Sequence, residues 1–220
     1  WSLYEPGLRV PLIVKWPKVV ASNIRTDVRV SLIDILPTFL DVANQDIPKN
    51  MDGKSFYNVL KGDDKQIHEY LYGVSTRQNV RGAQVFPSRS VRDKRFKYIK
   101  NFNAYERLSD NLGANSNVNA FIRRGAEAFK YKPYEELYDL NNDPYEKNNL
   151  AADANYSNIK NKLSKQLELW MTNQDDILLN SKMPILKANH HPLDKKTQWN
   201  KIPDHLVNTL NESDYLQNHY

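Results

Sequence analysis

The run Val10-Pro11-Leu12-Ile13-Val14-Lys15-Trp16, closed by Pro17, constrains the fold more than any other segment of the chain. It is a compact, β-branched run without alternation, the pattern of a strand buried on both faces. Such strands belong to large sheets covered by helices. The apolar runs are short, the longest near Val10 to Trp16 and Leu32 to Ala43, well under the roughly 18 to 20 residues that cross a bilayer. No transmembrane helix and no membrane partner are expected. With 40% of its 220 residues hydrophobic and 11% aromatic, the chain has enough apolar material for a core.

Charge and cysteine content narrow the function. The formal charge is +5, from 31 basic residues beside 26 acidic ones. Basic residues cluster in Arg77 to Lys100 and in Lys160 to Lys165. An excess this small is the mark of a solvated surface, so no nucleic-acid partner is expected, while a basic cleft for an anionic sugar fits the same charge. The absence of cysteine excludes disulfides, thiol catalysis and thiolate metal sites within the chain. Trp1 to Gly7 has neither a basic nor an apolar leader region and no initiator Met precedes it, so the chain reads as starting inside a longer protein.

Ser31 to Ala43 carries apolar residues at helical spacing, with Ser31 as a cap and Asp34 three residues later; Pro37 either kinks this helix or opens a second one. Ser55 to Leu60 makes a short helix ended by Lys61-Gly62. Tyr70 to Val74 reads as a strand leading into Ser75 to Gln84, a polar stretch without periodicity and a loop candidate. Ser90-Val91-Arg92 and Phe96 to Ile99 flank the turn Asp93-Lys94-Arg95 as a β-hairpin, and Glu136 to Leu140 supplies a further strand. Asn103 to Lys132 reads as a mostly helical insertion, best around Ala126 to Phe129. Ser157 to Thr172 places Ile159, Leu163, Leu167, Trp170 and Met171 on one face of an amphipathic helix, with Lys160, Lys162 and Lys165 mainly outward. That helix should pack on the antiparallel strands.

The expected fold is α/β. Residues 1–75 form the end of a large α/β/α sheet domain, residues 76–176 a small antiparallel sheet with a covering C-terminal helix, and residues 177–220 an irregular tail. Expressed alone, residues 1–75 would expose a sheet edge and an apolar face, and would be poorly stable or self-associating.

Five motifs in order carry a family resemblance. Tyr4-Glu5-Pro6-Gly7-Leu8-Arg9-Val10-Pro11 resembles the YE-x-G-x-R-VP segment of type I sulfatases of the alkaline-phosphatase superfamily, and Ser31 to Thr38 resembles a helix of that family. Met51-Asp52-Gly53-Lys54-Ser55 resembles its DG-x-S turn, and Arg89 to Arg92 with Phe96 to Ile99 its C-terminal hairpin. Glu136 to Leu140, followed by Asp143-Pro144-Tyr145-Glu146 and Asn149-Leu150, resembles its ELYDL-x-x-DP-x-E-x-x-NL signature. The match covers residues 1 to about 175 and looks most like heparan N-sulfatase (sulfamidase) and its bacterial relatives.

The resemblance implies hydrolysis of sulfate esters or sulfamates of a sulfated glycan, heparan-type favoured. Its nucleophile would be a formylglycine beside a calcium ion, both in an N-terminal sulfatase half that acts as partner to this segment. It also implies a periplasmic, secreted or lysosomal location. No C/S-x-P-x-R motif occurs in the chain, so no catalytic or metal-binding residue is expected here. The site residues that remain are substrate-binding: Arg77 and Arg81, on the loop where relatives shape the sugar pocket, suit bidentate contact with sulfate or carboxylate. Each also reads as an exposed loop residue. Arg9 is expected to anchor the buried strand and Glu5 to partner a nearby cation. His68, His190 and His191 are expected at solvated turns or surfaces, and the pairs Asp63-Asp64 and Asp175-Asp176 in solvated turns as caps or surface charges. Tyr131, Tyr134, Tyr138 and Tyr145 either stack on sugar rings or pack the small sheet. Two alternatives stand beside the enzyme: a non-catalytic glycan-binding or interaction module on the same scaffold, and a phosphodiesterase of the same superfamily.

Overall fold

The turn Asp93-Lys94-Arg95 closes a hairpin because the Asp93 carboxylate accepts the backbone N–H of Arg95 and of Phe96, each at 2.7 Å. The hairpin belongs to a computed structural model that describes residues 2–77, 85–105, 129–180, 182–186 and 215–217. Its strands are the inner pair of a four-stranded sheet ordered β1 (Leu71–Arg77), β2 (Val85–Arg92), β3 (Phe96–Asn101), β4 (Glu135–Asp139). The pairs β2–β3 and β3–β4 are antiparallel, with Val91 opposite Tyr98 and Tyr98 opposite Leu137. That register lines Val91, Tyr98 and Leu137 up on one face, all fully buried.

The helix α4 (Ser157–Asn173) covers the sheet, packing on β2 and β3. It follows α1 (Glu5–Leu8), α2 (Ile35–Val42) and α3 (Tyr57–Leu60). Leu163, Leu167 and Met171 are its buried residues, spaced by four as the apolar stripe requires. Tyr72 stacks on Trp170 with ring centroids 4.6 Å apart, and Lys160 reaches Glu135 at 3.2 Å. Beyond α4, Lys182–Leu186 (β5) pairs antiparallel with Tyr215–Gln217 (β6). The best helical part of the expected insertion, Ala126 to Ala128, lies outside the described residues, and Phe129 sits in a turn.

The chain divides into two compact units, Trp1–Arg9 with Tyr72–Tyr220, and Val10–Leu71. The second unit is organised by one carboxylate. Asp34, fully buried, closes a 3-10 turn (Leu32–Asp34) and accepts the Ser31 N–H at 2.7 Å, the Lys54 N–H at 2.8 Å and a His68 Nε2 bond at 2.9 Å. Pro37 then occupies the first turn of α2, where its missing N–H costs nothing. Thr38 extends the node, donating to the Asp34 carbonyl at 2.7 Å and accepting the Phe56 N–H at 3.0 Å. Gly53 is required by close approach, since a Cβ there would run into the Ile33 carbonyl.

Two expectations are corrected in this unit. His68 is no solvated turn residue; it is 8% exposed and bound to Asp34. Val10 to Trp16 forms no strand among the described residues, and Ile13 is 89% exposed. Strand structure needs a hydrogen-bonded neighbour, and none of the described residues supplies one to this run. Leu32, Leu36 and Phe39 are likewise exposed, by 71%, 57% and 65%.

Candidate functional site

Strand alternation puts Lys97, Ile99 and Asn101 on the face of β3 turned away from α4, with Tyr138 opposite Lys97 and Glu136 opposite Ile99 on β4. The segment Leu3 to Leu8 lies on this face. Leu3, Ile99 and Tyr138 form an apolar cluster, and the Tyr4 ring meets Tyr138 edge-on at 6.0 Å. Gly73 of β1 leaves room for the segment, because a Cβ there would sit 3.0 Å from Leu3 Cδ2 and closer still to Ser90 Oγ.

Beneath the segment lies a chain of buried charges. The Lys97 ammonium, fully buried, meets Glu5 Oε1 at 2.7 Å and Glu146 Oε1 at 2.9 Å, and donates to the Leu3 carbonyl at 3.1 Å. Glu5 Oε2 binds Arg92 Nη1 at 2.7 Å, and Glu146 Oε2 accepts the Glu5 N–H at 2.5 Å. Glu146 adopts φ 53°, a left-handed conformation costly for a residue with a side chain, which these bonds offset. The buried Glu136 carboxylate accepts from Tyr4 Oη at 2.7 Å, Tyr138 Oη at 2.5 Å and Asn101 Nδ2 at 2.6 Å. Burial first, and the Glu136 charge second, raise both tyrosine hydroxyls far above the ordinary phenol range.

Burial alone would push the Glu5 carboxyl up, but Lys97 and Arg92 outweigh it and hold Glu5 below its ordinary 4.5. A carboxylate depressed on folding contributes stability above its unfolded pKa and loses it as pH falls through the folded value. Stability should therefore drop from about pH 4.5 downward. The variant Glu5→Gln should show a shallower acid limb when urea midpoints are compared between pH 7 and pH 3.

The expected site residues fare differently. Glu5 is the structural partner of a cation, as expected. Arg77 is the last residue of β1; Arg81, with residues 78–84, lies outside the described residues, as do His190 and His191. Arg9 does not anchor a buried strand: it is exposed, and its backbone N–H caps α1 by donating to the Glu5 carbonyl. Asp176 does cap the turn Ile177–Asn180, its Oδ1 accepting the Leu178 N–H, but it is not a solvated charge, since its side chain is 8% exposed and is bound by Arg89. The tyrosine set separates, with Tyr138 buried in packing while Tyr131 and Tyr145 are 75% and 73% exposed. Lys97, Glu136 and Arg89 stand in the motifs, but sequence reasoning assigned none of them a role of its own. The alternation Phe96-Lys97-Tyr98-Ile99 was the available signal, because it places Lys97 on the same face as Ile99.

Chemically, this arrangement binds and orients chain segments. Among the described residues no three His, Asp or Glu side chains gather in a group able to hold a metal ion. The described side chains therefore offer calcium no cluster of carboxylates. No helix among the described residues is long and apolar enough to cross a membrane.

A family model described as N-sulphoglucosamine sulphohydrolase, C-terminal, matches residues 2–112. An Ulvan-active sulfatase of Formosa agariphila is 46% identical over 98% of the chain and 44% of its own length. Human N-sulphoglucosamine sulphohydrolase is 24% identical over 80% of the chain and 39% of its own length. The chain thus spans less than half the length of these curated relatives. A Bacteroides thetaiotaomicron structure from work on the metabolism of multiple glycosaminoglycans is similar at 27% identity and TM-score 0.53, over 78% of this chain and 31% of that one. A protein solved with D-glucosamine-2-N,6-O-disulfate shares the fold at TM-score 0.54 and 22% identity, over 74% of this chain and 28% of that one.

Proposed function

The chain belongs to the family described as N-sulphoglucosamine sulphohydrolase, C-terminal, and from that premise we propose that it is the C-terminal part of a sulfatase hydrolysing sulfate groups of a sulfated glycan. The observation that carries the reading is the 46% identity to an Ulvan-active sulfatase across 98% of the chain. The buried network adds physical support. Tyr4 and Glu5, from the first family motif, bond to Glu136 and Glu146 of the last one. The motif residues are therefore joined in one scaffold rather than scattered over the surface.

Ulvan is the first substrate to test, on that identity. A heparan-type glycan is the second reading, favoured by the family model. The nucleophile, a formylglycine, and a calcium ion belong in this reading to the remainder of the full-length protein, and the location is periplasmic, secreted or lysosomal. Arg77, at the end of β1, is assigned a bidentate contact with a sulfate or carboxylate of the sugar.

The test is to mature the full-length protein and measure sulfate release from ulvan and heparin-derived oligosaccharides. Release is expected from at least one, ulvan first; none from any sulfated glycan sinks the enzyme reading and leaves the binding module. In the active protein Arg77→Ala should raise KM about tenfold to a hundredfold, the size of a lost charge-assisted hydrogen bond. An unchanged KM would remove Arg77 from the site.

A further inference from the structure

Arg89 stands in β2 with 5% exposure and its guanidinium bonded in three directions. Nε donates to Asp176 Oδ2 at 2.5 Å and Nη2 to Asp176 Oδ1 at 3.1 Å, a bidentate pair. Nη1 donates to the Ser88 carbonyl at 3.0 Å and to the Ser75 carbonyl at 3.2 Å. Asp176 is itself fixed just beyond α4, its N–H donating to the Met171 carbonyl at 2.9 Å and its Oδ1 accepting the Leu178 N–H at 3.1 Å. A single side chain therefore ties β2, the end of α4 and the outgoing end of β1.

A buried ion pair is a poor device for stability alone, because well-packed apolar side chains of similar volume are often as stabilising or more so. What an apolar pair cannot do is grip the Ser75 carbonyl, two residues before Arg77. Lysine cannot do so either while it keeps Asp176, since it lacks the planar fork that points donors at both. We propose that Arg89, locked by Asp176, is a positioning residue that fixes the Ser75 carbonyl and so sets where Arg77 meets the sulfated substrate. The proposal rests on the reading of Arg77 as a substrate contact.

The experiment compares full-length wild type, Arg89→Lys, Asp176→Asn, Arg77→Ala and the double variant Arg77→Ala/Arg89→Lys. Sulfate release from an ulvan oligosaccharide gives KM and kcat, calorimetry gives Kd for the same oligosaccharide, and thermal melts report folding. Arg89→Lys should raise KM and Kd about tenfold, with kcat within about twofold, as a small misplacement of a binding group does. Asp176→Asn should move both constants the same way by less, and it carries the test if Arg89→Lys does not fold. In the double variant KM and Kd should rise no further than in Arg77→Ala, because the positioned contact is already gone. The proposal is overturned if Arg89→Lys lowers the melting temperature but leaves KM and Kd unchanged, or if the two substitutions multiply. A flat response to Arg77→Ala removes the underlying reading together with the proposal. A response to Arg77→Ala with none to Arg89→Lys removes the proposal alone.

Discussion

Replacing Lys97 with methionine is expected to destabilise the protein by about 3 to 5 kcal/mol, the usual cost of removing one member of a buried ionic cluster. Lys97 has no exposed surface, pairs with Glu5 and Glu146, and donates to the Leu3 carbonyl. Methionine fills a similar volume, so little of the loss comes from packing. The loss arises because Glu146, whose side chain is also fully buried, is left as an uncompensated charge, while Glu5 keeps Arg92. Urea unfolding followed by circular dichroism measures the change. Adding Glu146→Leu to Lys97→Met should recover much of it, since an apolar pair carries no desolvation cost. A loss under about 1 kcal/mol in the single variant would mean that water screens the cluster, as at surface ion pairs.

The second large effect is expected at Asp34. Asp34→Ala removes the acceptor of the Ser31 and Lys54 amides and of His68 at a position with no solvent access. Hydrogen bonds to a charged group contribute about 1.5 to 3 kcal/mol each, and buried donors left unpaired add their desolvation cost. The unit Val10–Leu71 should therefore lose its native packing, while the sheet of the other unit keeps its own. Hydrogen exchange separates the two outcomes. The Lys54 amide should exchange freely in the variant while the amides of β3 remain protected, and continued protection of Lys54 would show that another acceptor replaces the carboxylate.

How much could be read from the sequence depended on whether an element's partners are local. The α4 helix was legible almost to its ends, expected over Ser157 to Thr172 and found over Ser157–Asn173, because its apolar stripe repeats within the segment itself. The hairpin was legible for the same reason, with turn chemistry at Asp93 and alternation on both sides. Val10 to Trp16 was not, since apolar composition asks for burial without naming what provides it. Lys97 was missed because its carboxylate partners come from Glu5 and Glu146, remote in sequence on either side. His68 and Asp176 failed similarly: polar residues in turns read as solvated until Asp34 and Arg89 are brought to them by the fold. Of the candidate substrate contacts, Arg77 is the last residue of β1 and Arg81 lies outside the described residues, so for both the suggestion comes from residue type and position in the sequence.

The bonds that clasp Tyr4 and Glu5 to Glu136 and Glu146 also set an order of events in time. Tyr4 and Glu136 are 132 positions apart, and Glu5 and Glu146 are 141 apart. During synthesis Glu5 can meet Arg92 and Lys97 once the β2–β3 hairpin has left the ribosome, but the bonds of Tyr4 to Glu136 and of the Glu5 N–H to Glu146 must wait for β4 and the turn that follows it. Contacts so remote in sequence form slowly. The clasp is therefore a late event of folding, and a chain stopped short of Glu146 has no means of completing it.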